Sequence, residues 1–173
     1  MDAEAPALIS PDWCRTMARY NAWQNGQIAE SAASLTAAAL SEERGAFFGS
    51  ILGTLNHVIW GDRMWMARWS AVERPSVGVK ESVALTTDLA AWQAERTGLD
   101  QAITDWAEGL TPDDLAGDLT WFSGTARREI SMSRALLITH FFNHQTHHRG
   151  QIHAMLTAAG AKGPVSDLFL LPA

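Results

Sequence analysis

Cysteine is nearly missing from this chain: Cys14 stands alone in 173 residues. One thiol excludes an internal disulfide and every Cys-x-x-Cys metal or redox motif, and it suits a reducing compartment. Long apolar runs are missing as well. The longest stretch without a formal charge, Gly45 to Gly61, holds four glycines with Ser50, Thr54, Asn56 and His57, which is too polar for a membrane-spanning helix. The net charge is −6, so there is no basic surplus with which to neutralise nucleic-acid phosphates. Met1 to Pro6 is acidic where a secretion signal is basic and then apolar. The expectation is a cytoplasmic protein with no membrane and no nucleic-acid partner.

Several enzyme classes lose their motifs too. The chain has no Gly-x-x-x-x-Gly-Lys-Ser/Thr loop, no Gly-x-Gly-x-x-Gly and no Gly-x-Ser-x-Gly, so phosphate-loop, dinucleotide and nucleophile-elbow chemistries drop out. No glutamate has a histidine three residues on, as carboxylate-bridged di-iron bundles require. His-Glu-x-x-His is absent, and with it the glutamate base of a zincin.

What is present is globular. Hydrophobic residues make up 47% and charged residues 18%, outside the disordered class. The length fits one domain, residues 1–173, with one core. Eight tryptophans against one tyrosine imply that several indoles are buried.

Helical periodicity dominates. Ser10-Pro11-Asp12 reads as cap, first helical position and first-turn acid, and apolar residues from Trp13 to Ile28 predict a helix over about residues 11–38, loosened at Gly26. Phe48, Ile51, Leu55, Ile59, Met66 and Trp69 predict a second helix to about Ser70. Ala71 to Ser82 reads as a linker. Thr87-Asp88 opens a third helix that ends near Gly109, and Thr111-Pro112-Asp113-Asp114 looks like one capped turn. Asp118 to Phe122 and Arg128 to Met132 alternate, with Leu119, Trp121, Ile130 and Met132 in one phase. Separated by Ser123-Gly124-Thr125-Ala126, they predict a short hairpin. A fourth helix spans about Ser133 to Ala159 and stops at Gly160. The expected fold is all-α, a four-helix up-and-down-type bundle with a β-hairpin before the last helix. The apolar tail Phe169-Leu170-Leu171 requires cover from the bundle or from a partner chain.

Five of the six histidines fall between His140 and His153. On a helix with His144 at zero, His148 lies at about +40°, His140 at about −40° and His147 at about −60°, whereas His153 faces the opposite side. An i, i+4 pair gives the bite that one metal ion needs. His144 and His148 meet that condition, as do His140 and His144. A third ligand must come from elsewhere, and His57 sits in an apolar stretch of the second helix, where an unpartnered imidazole is costly. Taken alone, such a histidine is ordinarily a hydrogen-bonded core group; together with the pair it completes a three-histidine site. His147 and His153 read as surface residues.

Asn143-His144-Gln145-Thr146-His147-His148-Arg149-Gly150-Gln151 resembles the signature of the DinB/YfiT superfamily of metalloenzymes. Thr54-Leu55-Asn56-His57-Val58-Ile59-Trp60-Gly61-Asp62 is similar to that family's earlier histidine block, and Tyr20-Asn21-Ala22-Trp23, Ser50-Ile51 and Gly160 also fit. The resemblance spans nearly the whole chain. It implies a four-helix bundle, commonly a homodimer, with a divalent metal, nickel or zinc, held by His57, His144 and His148. Characterised relatives include thiol-dependent isomerases and thiol S-transferases that use low-molecular-weight thiols, so the implied partner is a small-molecule substrate of that kind. The family name reflects induction by DNA damage and not DNA chemistry.

Three neutral imidazoles leave a metal its charge and an open position, the pattern of a catalytic site. There a water has its pKa lowered from about 15.7 towards about 7, and a thiol is bound as thiolate. No general base is obvious, because Asp62 lies about 140° round the helix from His57. Gln151 reads either as a ligand contact or as a packing contact. Asn56 and Asn143 lie beside the proposed ligands but point about 100° away from them. Arg149 reads as a solvated or dimer-facing charge, or as a substrate anchor. Trp23, Trp60 and Trp65 read as core more readily than as pocket walls, and Cys14 has no assigned role. Two functions stay open: a metal-dependent transferase or hydrolase, and a non-catalytic metal-binding dimer of the stress response.

Overall fold

A computed structural model describes residues 8–124 and 126–173. The acidic segment Met1 to Pro6 and Thr125 of the hairpin turn lie outside the described residues. Helix α1, Pro11–Ala33, starts as its sequence predicts: the Ser10 hydroxyl accepts from the Trp13 amide (3.2 Å) and Pro11 opens the first turn. It passes Gly26 unbroken but ends five residues before the expected boundary. The Ser34 amide turns back to the carbonyls of Ser31 and Ala32, its hydroxyl donates to Ser31 O (2.7 Å), and Thr36 caps a new short helix, α2, Ala37–Ser41. These two hydroxyl side chains compete for the local backbone and interrupt an alanine run that propensity alone would continue.

Helix α3, Ile51–Met66, is shorter than predicted at both ends. Gly49 takes φ +75°, a left-handed conformation that glycine adopts without penalty. Its turn is closed by Gly49 N donating to Ala46 O (2.8 Å) and Arg44 N donating to Gly49 O (2.9 Å). Ser50 then caps the helix by accepting from the Gly53 amide (3.0 Å), so Phe48 lies before α3 and not within it. Beyond Met66 the backbone tightens, with Arg68 N on Trp65 O and Trp69 N on Met66 O. Helix α4, Leu89–Glu108, lies between Asp88 and Gly109 as expected, and Thr111 and Asp114 cap the following turn reciprocally. Strands β1, Asp118–Ser123, and β2, Arg128–Ser133, pair antiparallel with Leu119 opposite Met132 and Trp121 opposite Ile130. Ser133 then caps helix α5, Arg134–Ala158, and Gly160 follows it at φ +88°.

The fold is therefore a helical bundle carrying one small hairpin. Round the bundle the order is α1, α4, α3, α5, so α1 and α3 lie across a diagonal and α3 packs directly on α5. Trp92, Phe141, Phe142, Ile28, Leu55, Ile59, Ile103 and Leu156 are fully buried between the helices, each side chain contributing about 1.5–3 kcal/mol. After Gly160 the chain returns along α1. Lys162 O accepts from Ser31 (2.7 Å), Val165 O from Gln27 (3.0 Å) and Ser166 O from the Tyr20 hydroxyl (2.6 Å). The bundle does not supply the cover predicted for the apolar tail, since Phe169 is 84% exposed and Leu170 51%. Among the described residues, no helix is long and apolar enough to cross a membrane.

Candidate metal centre

Three imidazoles meet where α3 packs on α5. His57 comes from the middle of α3, and His144 and His148 from successive turns of α5. One nitrogen from each lies within 4.8 Å of the other two. The His144 Nε2 is 3.3 Å from His57 Nε2 and 3.1 Å from His148 Nε2. Metal–nitrogen bonds of 2.0–2.1 Å in a tetrahedral set place neighbouring ligand nitrogens about 3.3 Å apart. Both short separations fit.

Close approach at this point depends on Gly61. A Cβ there would stand 2.7 Å from His144 Cε1 and 3.3 Å from its Nδ1, so any larger residue drives the ring off α3. The i, i+4 spacing alone does not reveal this requirement.

The outer nitrogens fix the tautomers. Ser82 donates its one hydroxyl hydrogen to Val79 O (2.7 Å), so toward His57 Nδ1, at 3.2 Å, it can only accept. His57 therefore carries its proton on Nδ1 and turns the Nε2 lone pair inward. Gln151 Oε1 accepts from His148 Nδ1 (2.7 Å), with the same result for His148. Such outer partners orient a metal-ligating imidazole and raise its basicity. The His144 Nδ1 is buried without a hydrogen-bond partner among the described residues. Burial, followed by the neighbouring His148, pushes His57 down to about 4. Burial followed by four neighbouring histidines pushes His144 down to about 3. His148 is lowered too, again chiefly by burial. All three are neutral at pH 7, the state that can donate a lone pair to a cation.

Aromatic rings enclose the cluster. Phe48 stacks on His57 at 3.6 Å between centroids and meets His148 edge-on at 5.5 Å. Trp60 lies parallel to His57 at 5.7 Å and donates its indole N–H to Val77 O. Trp65 is in contact with His140, Trp69 and Trp121, a packing role. Trp23 tilts against Tyr20 on α1.

The other predicted residues separate clearly. His140 shares the i, i+4 spacing but is exposed and stands outside the group. His147 is exposed, whereas His153 is half-buried against Gly163. Asn56 is fully buried and acts on the linker: its amide donates to Val83 O and Thr86 O and accepts from the Thr86 hydroxyl (2.6 Å), which pins the segment that presents Ser82. Asn143 faces outward. Gln151 contacts a ligand ring, as described.

Arg149 is not a solvated charge. It is 6% exposed, donates to Asn21 Oδ1 and to Thr146 Oγ1 (3.1 Å), and covers the Tyr20 ring at 5.3 Å. Burial lowers its pKa to about 10, which leaves it charged at neutral pH. Asp62 is fully buried and bound to Arg96 (2.6 Å), which also binds Asp100 (2.9 Å), so it is committed to the core and is no base for the cluster. Cys14 is buried, and burial raises its thiol to about 11.

Phe48 and Ser82 were not singled out by the sequence. The Phe47-Phe48 pair just before the Ser50 cap was a usable hint for the first. Ser82 has no sequence signal, because it reaches His57 only through the fold of a linker.

The protein is a helical bundle in which three neutral imidazoles, converging from two helices, could hold a metal ion. The DinB family model matches residues 8–172, and the chain belongs to the DinB family. No functionally curated protein matches it in sequence.

Proposed function

We propose that His57, His144 and His148 hold one divalent ion, nickel or zinc, and that the protein is a metal-dependent enzyme of the thiol S-transferase or hydrolase kind acting on a small molecule. The observation that carries this reading is the set of inward Nε2 atoms, two of them fixed as acceptors by Ser82 and Gln151. When bound, such an ion supplies Lewis acidity and stabilises a thiolate or hydroxide at neutral pH. The protein's own part is to present neutral imidazoles in a set orientation. Phe48 and Trp60 shield His57 from water, which strengthens electrostatic interactions beside it. Among the described residues no carboxylate joins the cluster, so a proton released there would pass to solvent or to the substrate itself. A low-molecular-weight thiol is the proposed cosubstrate, and a homodimer in the cytoplasm the proposed assembly.

Metal analysis of protein purified from its native host tests the first half of the proposal: about one nickel or zinc per chain is expected, and none in His57→Ala. Turnover of thiol acceptors and simple esters by the metal-loaded protein tests the second half. Stoichiometric metal without turnover of any acceptor would leave a metal-binding protein and remove the enzyme.

A further inference from the structure

Behind the histidine cluster, between α1, α5 and the returning C-terminal segment, lies a cavity of about 280 Å³. Tyr20, Thr146, Arg149, Gly150, His153 and Ser166 are among its walls, and none of the described aspartates and glutamates is. Arg149 is the charged group there, and it is 94% buried, being only 6% exposed. Its contacts are neutral: an amide oxygen, a hydroxyl oxygen and an aromatic face. A guanidinium has five N–H donors, and the bonds to Asn21 and Thr146 use two of them. The nearest carboxylate of the core network, Asp62, is reached only through Asn21 and Gln145. A buried cation is ordinarily matched by an anion in contact with it. Here the contact positions hold neutral groups, and a cavity large enough for a small molecule opens beside the charge.

The geometry points to a second ligand site in this cavity, where Arg149 binds the oxyanion group, carboxylate or phosphate, of a small molecule. Guanidinium matches both groups by paired N–H donors. The returning segment forms the outer wall, held by its backbone carbonyls on Tyr20, Gln24 and Gln27, while exposed Thr146 and Gly150 leave the cavity open to an entering anion. The site is independent of the metal reading.

The test is a titration of the full chain with acetate and with inorganic phosphate, at matched ionic strength in sodium chloride, following the melting temperature and the heat of binding. It is run on chelator-treated and on zinc-loaded protein. A saturable response at one site per chain, equal in both preparations, is expected for at least one anion; which anion responds tells carboxylate from phosphate. Arg149→Met should weaken binding about tenfold or more. Because that variant risks misfolding, Gly150→Leu is the companion: a Cβ at Gly150 meets nothing within 4 Å, so the helix tolerates it while the side chain fills the cavity. The site is refuted by an absence of saturable binding, by a response confined to zinc-loaded protein, or by equal binding in Gly150→Leu.

Discussion

Two buried polar clusters lie side by side in this bundle and are built on opposite terms. In the core network, Asn25, Asp100, Arg96, Asp62, Gln145, Asn21 and Arg149 run across all four long helices with donors facing acceptors and carboxylates facing guanidinium. In the histidine cluster, His57 Nε2 and His148 Nε2, which the outer hydrogen bonds make acceptors, both face His144 Nε2 at hydrogen-bonding distance, and the single N–H of a neutral His144 can serve one of them at most. At the centre of the first, opposite charges pair within the protein, Arg96 lying between Asp62 and Asp100. The second leaves at least one inward lone pair without a proton, which is unfavourable until a cation stands among them. Opposite charges that pair report on structure, and lone pairs left facing one another report on a ligand.

The comparison breaks most violently if the core network loses its central cation. Arg96→Met leaves Asp62 and Asp100 without their shared cation, with Asp62 wholly buried. Removing one partner of a buried pair costs about 3–5 kcal/mol. Urea denaturation should show that loss with or without metal, because the network does not need the ion. A smaller loss would mean that water reaches Asp62.

The histidine cluster should respond to metal instead. A ligand that binds only the folded state at one hundred times its Kd adds about 2.7 kcal/mol, or several degrees in melting temperature at about 2–4 °C per kcal/mol. Chelation should remove this increment. His148→Ala should abolish it, whereas His153→Ala, on the opposite side of α5, should leave it intact. Equal behaviour of the two variants would overturn the assignment of the ligand face.

How far the sequence carried these conclusions depended on whether the deciding interaction was local. The capped ends of α4 and the presence of the hairpin follow from spacing and capping chemistry, and the i, i+4 spacing of His144 and His148 brings their rings together. The end of α1 and the start of α3 were misplaced because hydroxyl caps at Ser34 and Thr36 and the left-handed turn at Gly49 overrode apolar periodicity. His57 was recognised from its block, but its partner Ser82 was not. That contact needs the linker to fold back and be held by Asn56, and no spacing encodes it. Arg149 was left between a surface charge and a substrate anchor for the same reason: its burial depends on Tyr20, Asn21 and Thr146 and on a returning tail, which lie far apart in the chain.

The outer hydrogen bonds allow a finer cut. Loss of a group that orients a ligating histidine typically lowers metal affinity 10–100-fold, about 1.4–2.7 kcal/mol. Gln151→Leu and Ser82→Ala should both fall in that range by competition titration with a chromophoric chelator. Metal-free stability should change less for Gln151→Leu, because Gln151 is half-exposed whereas Ser82 is buried. If neither variant loses affinity, the tautomers are not set by these contacts.

The smallest expected effect separates the clusters by pH. In the folded protein His57 and His144 titrate at about 4 and about 3, below the ordinary histidine value of about 6.5. Below that value the unfolded chain binds protons that the folded chain refuses, so stability falls as pH drops. The contribution is complete above about 6.5 and is lost progressively as pH falls through the folded values. Between pH 7 and pH 6, metal-free protein should therefore lose a modest part of its stability in urea titrations. His57→Ala should flatten that dependence, because it removes one of the histidines that resist protonation. Arg96→Met should act in the opposite sense: burial raises Asp62 and Arg96 opposes that rise, so without Arg96 the folded state takes up a proton there that the unfolded chain refuses, and stability falls less as pH drops. A slope unchanged in His57→Ala would place the proton-sensitive element outside the imidazoles.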